Sequence, residues 1–469
     1  MSFFSHTPTD RGTTEDGGTT DARSATDGRR HRSRGTTGRL RRALALGAAV
    51  ATAAALAGCA SSGSSTLDES ADVEITMWTG QDDAAGALLD DLAQEFMDEH
   101  PNVTLKLSPG ASSTEELLQK LSASFAGGTY PDISYAFGSW ASQLEKSERT
   151  LDISDQVADP DVKWDEFPQA ARSTVQPTGD RTIGFPAVVD NISLLYNTTV
   201  FDEAGVAYPT ADWTWDDFRT AAEQLTDPAS NTYGYGYSVS GSEETTWQLW
   251  PHLWQNGGEI LSEDGTEAAF DSEAGVEALT LLRDMAVDDQ SVYLDQTDTK
   301  FGPLFASDRI GMITSGPWQL NDLKIAGTQY GVVELPGTDG DHQTVSGPDV
   351  WALFDHQDAN RAYWSYEFAE WLTSAEQDLR FNVEYGNLPL RSSEADSPEF
   401  QAKAAELPGL DVMQANAENA VHARPTVPGY VDVSTAVGQA VSEVLQGKGE
   451  PEEALRRAAD DSDEALGDR

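Results

Sequence analysis

Alternating apolar and polar positions begin at about residue 72 and predict strands interleaved with helices. Val73 to Trp78 alternates with the period of two that a half-buried strand requires. Apolar residues between positions 88 and 96 then recur on one face of a helix. The same succession of strand, helix and strand follows over 103–107, 117–125 and 132–136. This β-α-β-α-β order is typical of a mostly parallel sheet covered by helices.

The rest of the chain continues to alternate short strands with amphipathic helices, and it contains no internal repeat of solenoid length. Further helices are predicted over 214–225, 274–285, 360–372 and 434–445, with a last one from Pro451. The acidic run from residue 460 is expected to fray. An α/β fold class follows for residues 73–469.

The first 58 residues have the composition of a leader and signal peptide. Residues 1–38 are polar and rich in Gly, Thr, Asp and Arg, which predicts disorder. A basic run ending at Arg42 meets a small or apolar stretch over 43–56. That stretch is too short to span a bilayer and is typical of a signal-peptide core. The pair Arg41-Arg42 leaves both general secretory and twin-arginine export open.

A single cysteine directly follows the apolar stretch. Leu56-Ala57-Gly58-Cys59 resembles a bacterial lipoprotein cleavage box, where the peptidase cuts before the cysteine and lipid is attached to its sulfur. The alternative is a free buried cysteine, which the position of Cys59 disfavours. We therefore expect a lipid on Cys59, a flexible tether over 59–72, and anchoring on the extracellular face of the cytoplasmic membrane.

Charge restricts the partners further. The 469 residues hold 79 acidic and 30 basic side chains, a formal net charge of −49. Nucleic acids and anionic lipid head groups both need a basic face, so neither is expected as a partner. Membrane contact is therefore expected through the lipid on Cys59 only.

Catalytic and cofactor motifs are absent from the sequence. It contains no Walker A loop, no dinucleotide-binding glycine pattern after a strand and no HExxH. The stretch 236–241 is one residue too long for a nucleophile elbow. A single cysteine and scattered histidines also make a zinc site improbable. The sequence predicts no catalytic residue, no metal and no cofactor, and so a protein that is not an enzyme.

Tryptophan is unusually frequent, with twelve residues in the chain. Most are expected to pack in the core, because buried aromatic area is a large stabiliser. The others lie beside Gly, Ser, Asn and Asp at element ends, where loops surround ligands. A sugar offers an apolar face for an aromatic ring and hydroxyls for carboxylates and amides, so this composition suggests a carbohydrate ligand.

Seven short motifs, in order, resemble the extracellular solute-binding proteins of carbohydrate ABC importers, the maltose-binding type. The similarity spans about 72–455. The motifs are Trp78-Thr79-Gly80, 126–133 (AGGTYPDI), 185–197 (FPAVVDNISLLYN), 209–218 (PTADWTWDDF), Asn256-Gly257-Gly258, 312–318 (MITSGPW) and Gly386-Asn387-Leu388-Pro389.

This resemblance implies a two-lobed periplasmic-binding-protein-like fold of type II. Each lobe would be a mostly parallel sheet flanked by helices, with the ligand cleft between the lobes. Lobe 1 is expected over 73–187 plus 315–372, and lobe 2 over 188–314 plus 373–469. The implied function is to close around a neutral sugar or oligosaccharide and to deliver it to the permease subunits of an ABC transporter. The resemblance implies that the protein does this as a monomer.

The resemblance also implies the ligand contacts. Trp318 and Trp247 occupy positions where relatives stack an aromatic ring on the sugar, and Asp190 matches a carboxylate that accepts sugar hydroxyls. The full set of candidates is Trp78, Gln81, Gly138, Ser139, Asp190, Trp247, Trp250, Gly316, Trp318, Asp349, Asn387, Arg424 and Tyr430.

Two alternatives remain open at this point. The same fold could bind a polyamine or another cation, which the acidic charge, Asp190 and Asp349 favour. A secreted polysaccharide hydrolase is the other, although no nucleophile motif supports it.

Overall fold

Two five-stranded sheets organise the part of the chain that the computed structural model describes, residues 66–81, 83–111, 114–179, 181–241 and 243–467. The first sheet has the order β2-β1-β3-β11-β4 and the second has the order β7-β6-β8-β5-β9. Strands β10 and β12 form a separate two-stranded ladder. The leader, the apolar stretch and Cys59 lie outside the described residues.

The strands are β1 (Val73–Trp78), β2 (Val103–Ser108), β3 (Ile133–Phe137), β4 (Gly184–Val188), β5 (Ser193–Asn197), β6 (Tyr233–Ser238), β7 (Val292–Asp295), β8 (Ile310–Ser315), β9 (Tyr330–Val333), β10 (Val345–Ser346), β11 (Asp349–Leu353) and β12 (His422–Ala423).

The helices are α1 (Asp83–Glu99), α2 (Thr114–Gly127), α3 (Ala141–Lys146), α4 (Ser154–Val157), α5 (Gln169–Thr174), α6 (Thr198–Ala204), α7 (Trp215–Leu225), α8 (Glu243–Trp247), α9 (Trp250–Gln255), α10 (Glu273–Arg283), α11 (Phe301–Ala306), α12 (Trp318–Ala326), α13 (Ala359–Leu372), α14 (Ala375–Asp378), α15 (Pro398–Glu406), α16 (Leu410–Ala415), α17 (Tyr430–Leu445) and α18 (Pro451–Gly467).

The predicted β-α-β-α-β start and the later helices are confirmed, and local chemistry explains where the helices begin. Thr214 forms a capping box with Asp217 at the start of α7. The Asp358 side chain accepts hydrogen bonds from two backbone N–H groups at the start of α13. Within the described ranges, no helix combines the length and hydropathy needed to cross a membrane.

Each sheet is parallel except for a single strand, and that strand follows a crossing between the sheets. The chain leaves β4 and enters the second sheet as β5, which pairs antiparallel with β8 and β9. It leaves β9 and returns as β11, which pairs antiparallel with β3 and β4. Asp349 therefore begins its strand at the edge where the parallel strands β3 and β4 end.

The predicted boundary at residue 315 is wrong. Ser315 ends β8, and the chain then forms α12 and β9, which pairs with β5 in the second sheet. The motif over 312–318 is thus a strand-to-helix turn within the second lobe, and the return crossing lies over 334–348. Leu320 and Leu323 of α12 are buried in the same hydrophobic cluster as Ile313 of β8, which holds this helix on the second sheet.

The last boundary, at residue 373, also needs correction. Phe381 and Leu390 pack in the core of the first sheet, although both follow residue 373. Val383 and Leu388 pack in a core beside the second sheet, so the segment alternates between the two cores.

Both ends of the described chain are more ordered than their composition predicted. Residue 460 lies inside α18, where Leu466 is buried in the core of the second sheet, so the acidic run is helical as far as Gly467. The side-chain amide of Asn102 donates to the carbonyl oxygens of Glu69 and Ala71 at 2.9 and 3.1 Å. The end of the predicted 59–72 tether is therefore fixed to the first sheet.

A buried ion pair joins α13 to the first sheet. Asp132, which precedes β3, is fully buried and accepts two hydrogen bonds of 2.7 Å from the Arg361 guanidinium. It also accepts from the backbone N–H and hydroxyl of Thr76, both at 2.8 Å. Asp132 of the Pro131-Asp132 motif thus connects β1, β3 and α13.

We expect Arg361→Met to lower the free energy of unfolding by about 3 kcal/mol, because it leaves the Asp132 carboxylate buried without its cation. Urea denaturation followed by circular dichroism measures this change. Arg380→Met is the matched control. It removes a pair with Glu95 in which both side chains are about 40 % exposed, and should cost about 1 kcal/mol or less. Equal losses of stability in the two variants would contradict a stabilising role for the buried Asp132–Arg361 pair.

Candidate functional site

Asp349 is the centre of a buried polar network at the edge where β3 and β4 end. The Tyr135 hydroxyl donates to its carboxylate at 2.5 Å, and the Gly138 backbone N–H donates at 3.2 Å. The Arg424 guanidinium donates to the same carboxylate at 3.3 Å. A Cβ atom at Gly138 would lie 2.1 Å from the carbonyl oxygen of Pro348, so only glycine allows this approach.

Arg424 joins this network to residues of the second lobe. Its guanidinium donates to Glu243 at 3.1 Å and lies over the ring of Trp247, 4.4 Å from the centroid. Arg424 follows β12, which pairs with β10 in the return crossing. The late segment is thereby held against the crossing, and the guanidinium reaches both sides of the junction.

The two crossings also contact each other beside Trp247. The Gly347 N–H donates to the carbonyl oxygen of Asp190 at 2.8 Å, and the backbones of Asn191 and Ser346 form an isolated antiparallel β-bridge. A Cβ atom at Gly347 would lie 2.1 Å from the Trp247 ring. The indole is therefore enclosed between the Gly347 backbone and the Arg424 guanidinium.

Three predicted contacts carry buried polar atoms that have no hydrogen-bond partner among the described residues. They are the Ser139 hydroxyl, the Oδ1 atom of Asp190 and the indole N–H of Trp247. Ser139 adjoins Gly138, and the charge of Asp349 acts on Asp190. Because buried polar groups are normally paired, these three unpartnered atoms are candidate hydrogen-bonding positions for a ligand.

Burial dominates the electrostatics of the network. It raises the pKa of Asp190 well above its usual value; the charge of Asp349 adds to the shift, and Arg424 opposes it. Burial also raises the pKa of Asp349, against the effect of Arg424. Burial acts to lower the pKa of Arg424, but Glu243 and Asp349 outweigh it and the net direction is upward.

A cavity of about 530 Å³ opens beside the network. Asp190 and Arg424 line it, together with residues along α5, the crossing residues Asn191 and Ser346, and residues between Ala417 and Thr426. Both crossings contribute to its wall, so it lies at the junction of the lobes. This size suits a small ligand.

The structure brings together Gly138, Ser139, Asp190, Trp247, Asp349 and Arg424 of the predicted set. Trp250 and Tyr430 are fully buried in the second core, where the indole N–H donates to the phenol oxygen at 3.0 Å. Because neither has an exposed face in this structure, we remove both from the candidate ligand contacts.

The other predicted residues lie outside the network. Trp318 is half-buried at the start of α12, and its ring lies against Gly316. Trp78 ends β1 with the Lys120 ammonium 4.2 Å above its ring, and Gln81 follows in the same loop. Asn387 donates to Asn382 beside the first crossing. Their roles as ligand contacts stay predictions.

Sequence reasoning missed Tyr135, Glu243 and Phe137, whose ring centroid lies 5.5 Å from the Arg424 guanidinium. Tyr135 and Phe137 share a face at the end of β3, and that alternation could have identified them. Glu243 had no such signal, because acidic residues are abundant along the whole chain.

We expect Asp190→Asn to stabilise the protein relative to wild type, increasingly as pH rises. A raised carboxyl pKa means that the folded state holds the proton more tightly than the unfolded chain, so its contribution is present at low pH and lost as pH rises through the folded pKa. Urea midpoints between about pH 5 and about pH 8 measure the difference. Asp461→Asn, on the exposed face of α18, is the control for formal charge. A difference that shrinks with rising pH would contradict this assignment.

Comparison with known proteins agrees with this architecture. A binding protein of Brucella abortus is 26 % identical over 414 residues, covering 85 % of this chain and 95 % of that protein. The sn-glycerol-3-phosphate-binding periplasmic protein UgpB of Agrobacterium fabrum is 22 % identical, covering 86 % and 94 %. The ABC substrate-binding protein Lmo0181 of Listeria monocytogenes, solved with cycloalternan, superposes with a TM-score of 0.74 at 25 % identity, covering 84 % of this chain and 99 % of that one.

The predicted two-lobed periplasmic-binding-protein-like fold is confirmed by this superposition. Residues 91–409 match the family model described as bacterial extracellular solute-binding protein. With that match over more than half of its length, the chain belongs to the family of bacterial extracellular solute-binding proteins.

Proposed function

We propose that this protein captures a sugar or short oligosaccharide and delivers it to the permease of an ABC importer. The observation that carries this proposal is that three buried polar atoms in or beside one network have no partner within the described chain: the Ser139 hydroxyl, Asp190 Oδ1 and the Trp247 indole N–H. A polyhydroxylated ligand would supply both donors and acceptors to these three atoms.

The charge of the network separates this proposal from a phosphorylated ligand, which the name of the Agrobacterium fabrum relative would suggest. Asp190, Asp349 and Glu243 face a single guanidinium in the network described above. A phosphate ester would add negative charge to a desolvated acidic site. A carbohydrate, as in the Listeria monocytogenes complex, avoids that repulsion.

Delivery requires a conformational change that the permease can sense. The chain passes between the two sheets after β4 and again after β9. Beside these crossings, Arg424 contacts Asp349 of the first sheet and Glu243 of the second lobe. A ligand between these groups would bias hinge closure. We propose lobe 1 over 73–188 plus 349–372 and lobe 2 over 193–333 plus 398–467, with a monomer as the working unit.

We propose further that the mature protein is lipid-anchored through Cys59. The extracellular-side location follows from the family. The finer assignment rests on the basic run, the apolar stretch and the Leu56-Ala57-Gly58-Cys59 box. Lipid on the sulfur would hold the binding domain near the permease.

Trp247→Phe should weaken sugar binding by about 5- to 20-fold, because it removes an N–H donor while keeping an aromatic ring. Isothermal titration with the mono- or disaccharide that gives the largest thermal shift measures the loss. Trp364→Phe is the matched control. Both indoles are 6 % exposed with an unpartnered N–H in the described structure, but Trp364 packs in the first core beside Phe96. Unchanged affinity in Trp247→Phe would remove Trp247 from the site.

Cys59→Ser should release the protein into the medium or leave an unprocessed precursor, because serine offers no sulfur for lipid attachment. Fractionation of cells with immunoblotting distinguishes membrane-bound from soluble protein. Sugar affinity of the released protein should equal that of wild type. A correctly processed Cys59→Ser protein that stays in the membrane fraction would refute the anchor.

A further inference from the structure

The buried network contains more acidic than basic groups. Asp349 and Glu243 share the Arg424 guanidinium, at 3.3 and 3.1 Å. Burial raises the pKa of Asp190, the charge of Asp349 adds to that effect, and the same guanidinium opposes it. Even with Asp190 protonated, two carboxylates face one cation.

A second observation concerns the side chain of Asp190 itself. Asp190 is only 9 % exposed, and its Oδ1 atom has no hydrogen-bond donor within the described residues. It lines the cavity at the junction of the lobes. A buried carboxylate oxygen without a donor is costly, and a cationic donor would offset that cost best.

Arg424 is the cation that serves the other two carboxylates. Its guanidinium stacks on Trp247, while Glu243 and Asp349 accept its hydrogen bonds. The Trp247 face and these two carboxylates are therefore occupied, and Asp190 is the carboxylate of the network whose Oδ1 atom has no donor within the described residues.

We infer that the ligand is an amino sugar, whose protonated amine pairs with Asp190 while its hydroxyls reach Ser139 and Trp247. This inference rests on the proposed sugar-binding function and refines it, since a neutral sugar was the expectation from sequence.

A polyamine would satisfy the carboxylates but not the rest of the site. The Trp247 indole is a donor only, and a protonated polyamine has no acceptor for it. Ring and hydroxyl oxygens provide that acceptor. The combination of an unpartnered donor with an unpartnered carboxylate oxygen therefore favours an amine carried on a sugar.

Matched amine and hydroxyl sugars test the inference. The pairs are glucosamine with glucose, galactosamine with galactose, mannosamine with mannose, and the β-1,4 disaccharide of glucosamine with cellobiose; spermidine is added separately. Isothermal titration at roughly pH 7, where an amine of pKa about 7.7 is largely protonated, measures each affinity. We expect the amine member of a binding pair to bind about tenfold more tightly.

Two variants assign the preference to Asp190. Asp190→Asn should abolish the tenfold preference for the amine and keep measurable binding of the hydroxyl sugar. Asp461→Asn removes the same formal charge from the exposed surface of α18 and should keep the preference. A preference that survives in Asp190→Asn would overturn the assignment.

The outcomes separate this inference from the proposed function. Equal or tighter binding of the hydroxyl member in every binding pair would overturn the inference and leave sugar capture standing. Binding of spermidine alone would overturn both in favour of a polyamine ligand. Absence of binding by every sugar and by spermidine would overturn the proposed function itself.

Discussion

The contact of Arg424 with Asp349 and Glu243 is the interaction on which the site depends. It joins the first sheet to a helix of the second lobe through a segment more than seventy residues further along the chain than Asp349. Breaking it would leave carboxylates buried without a cation, which is costly in a desolvated environment. The same guanidinium covers Trp247, so charge pairing and aromatic packing are coupled at one position.

Strand direction explains why the network forms where it does. Ligands in α/β proteins bind at the carboxyl ends of parallel strands. Because β11 is antiparallel, its first residue, Asp349, lies at that edge beside Phe137 and Val188. The second sheet repeats the arrangement, since Ser193 begins the antiparallel β5 opposite Ser315 at the end of β8. The residues that follow each crossing therefore lie at the edge of the sheet where the parallel strands end.

Glycine makes the close approach of these segments possible. The crossing residue Gly347 lies against Trp247, and Gly138 lies against the backbone of Pro348. Side chains at either position would separate the two crossings from the network. The hydrogen bond from Gly347 to Asp190 then fixes the crossings to each other. The site is thus built from backbone proximity as much as from the polar side chains that would contact a ligand.

Hydrophobic periodicity and short motifs determined the α/β class, the helices and several site residues, because these depend on neighbours within a few positions. Asp190, Trp247, Asp349 and Arg424 became candidates only through what the family resemblance implies for their positions. Tertiary structure decided which of them meet. It buried Trp250 against Tyr430, kept Trp318 in the second lobe, and added Tyr135 and Glu243. The physical reason is that strand pairing between distant segments sets which side chains share a desolvated space, and local sequence carries no record of that pairing.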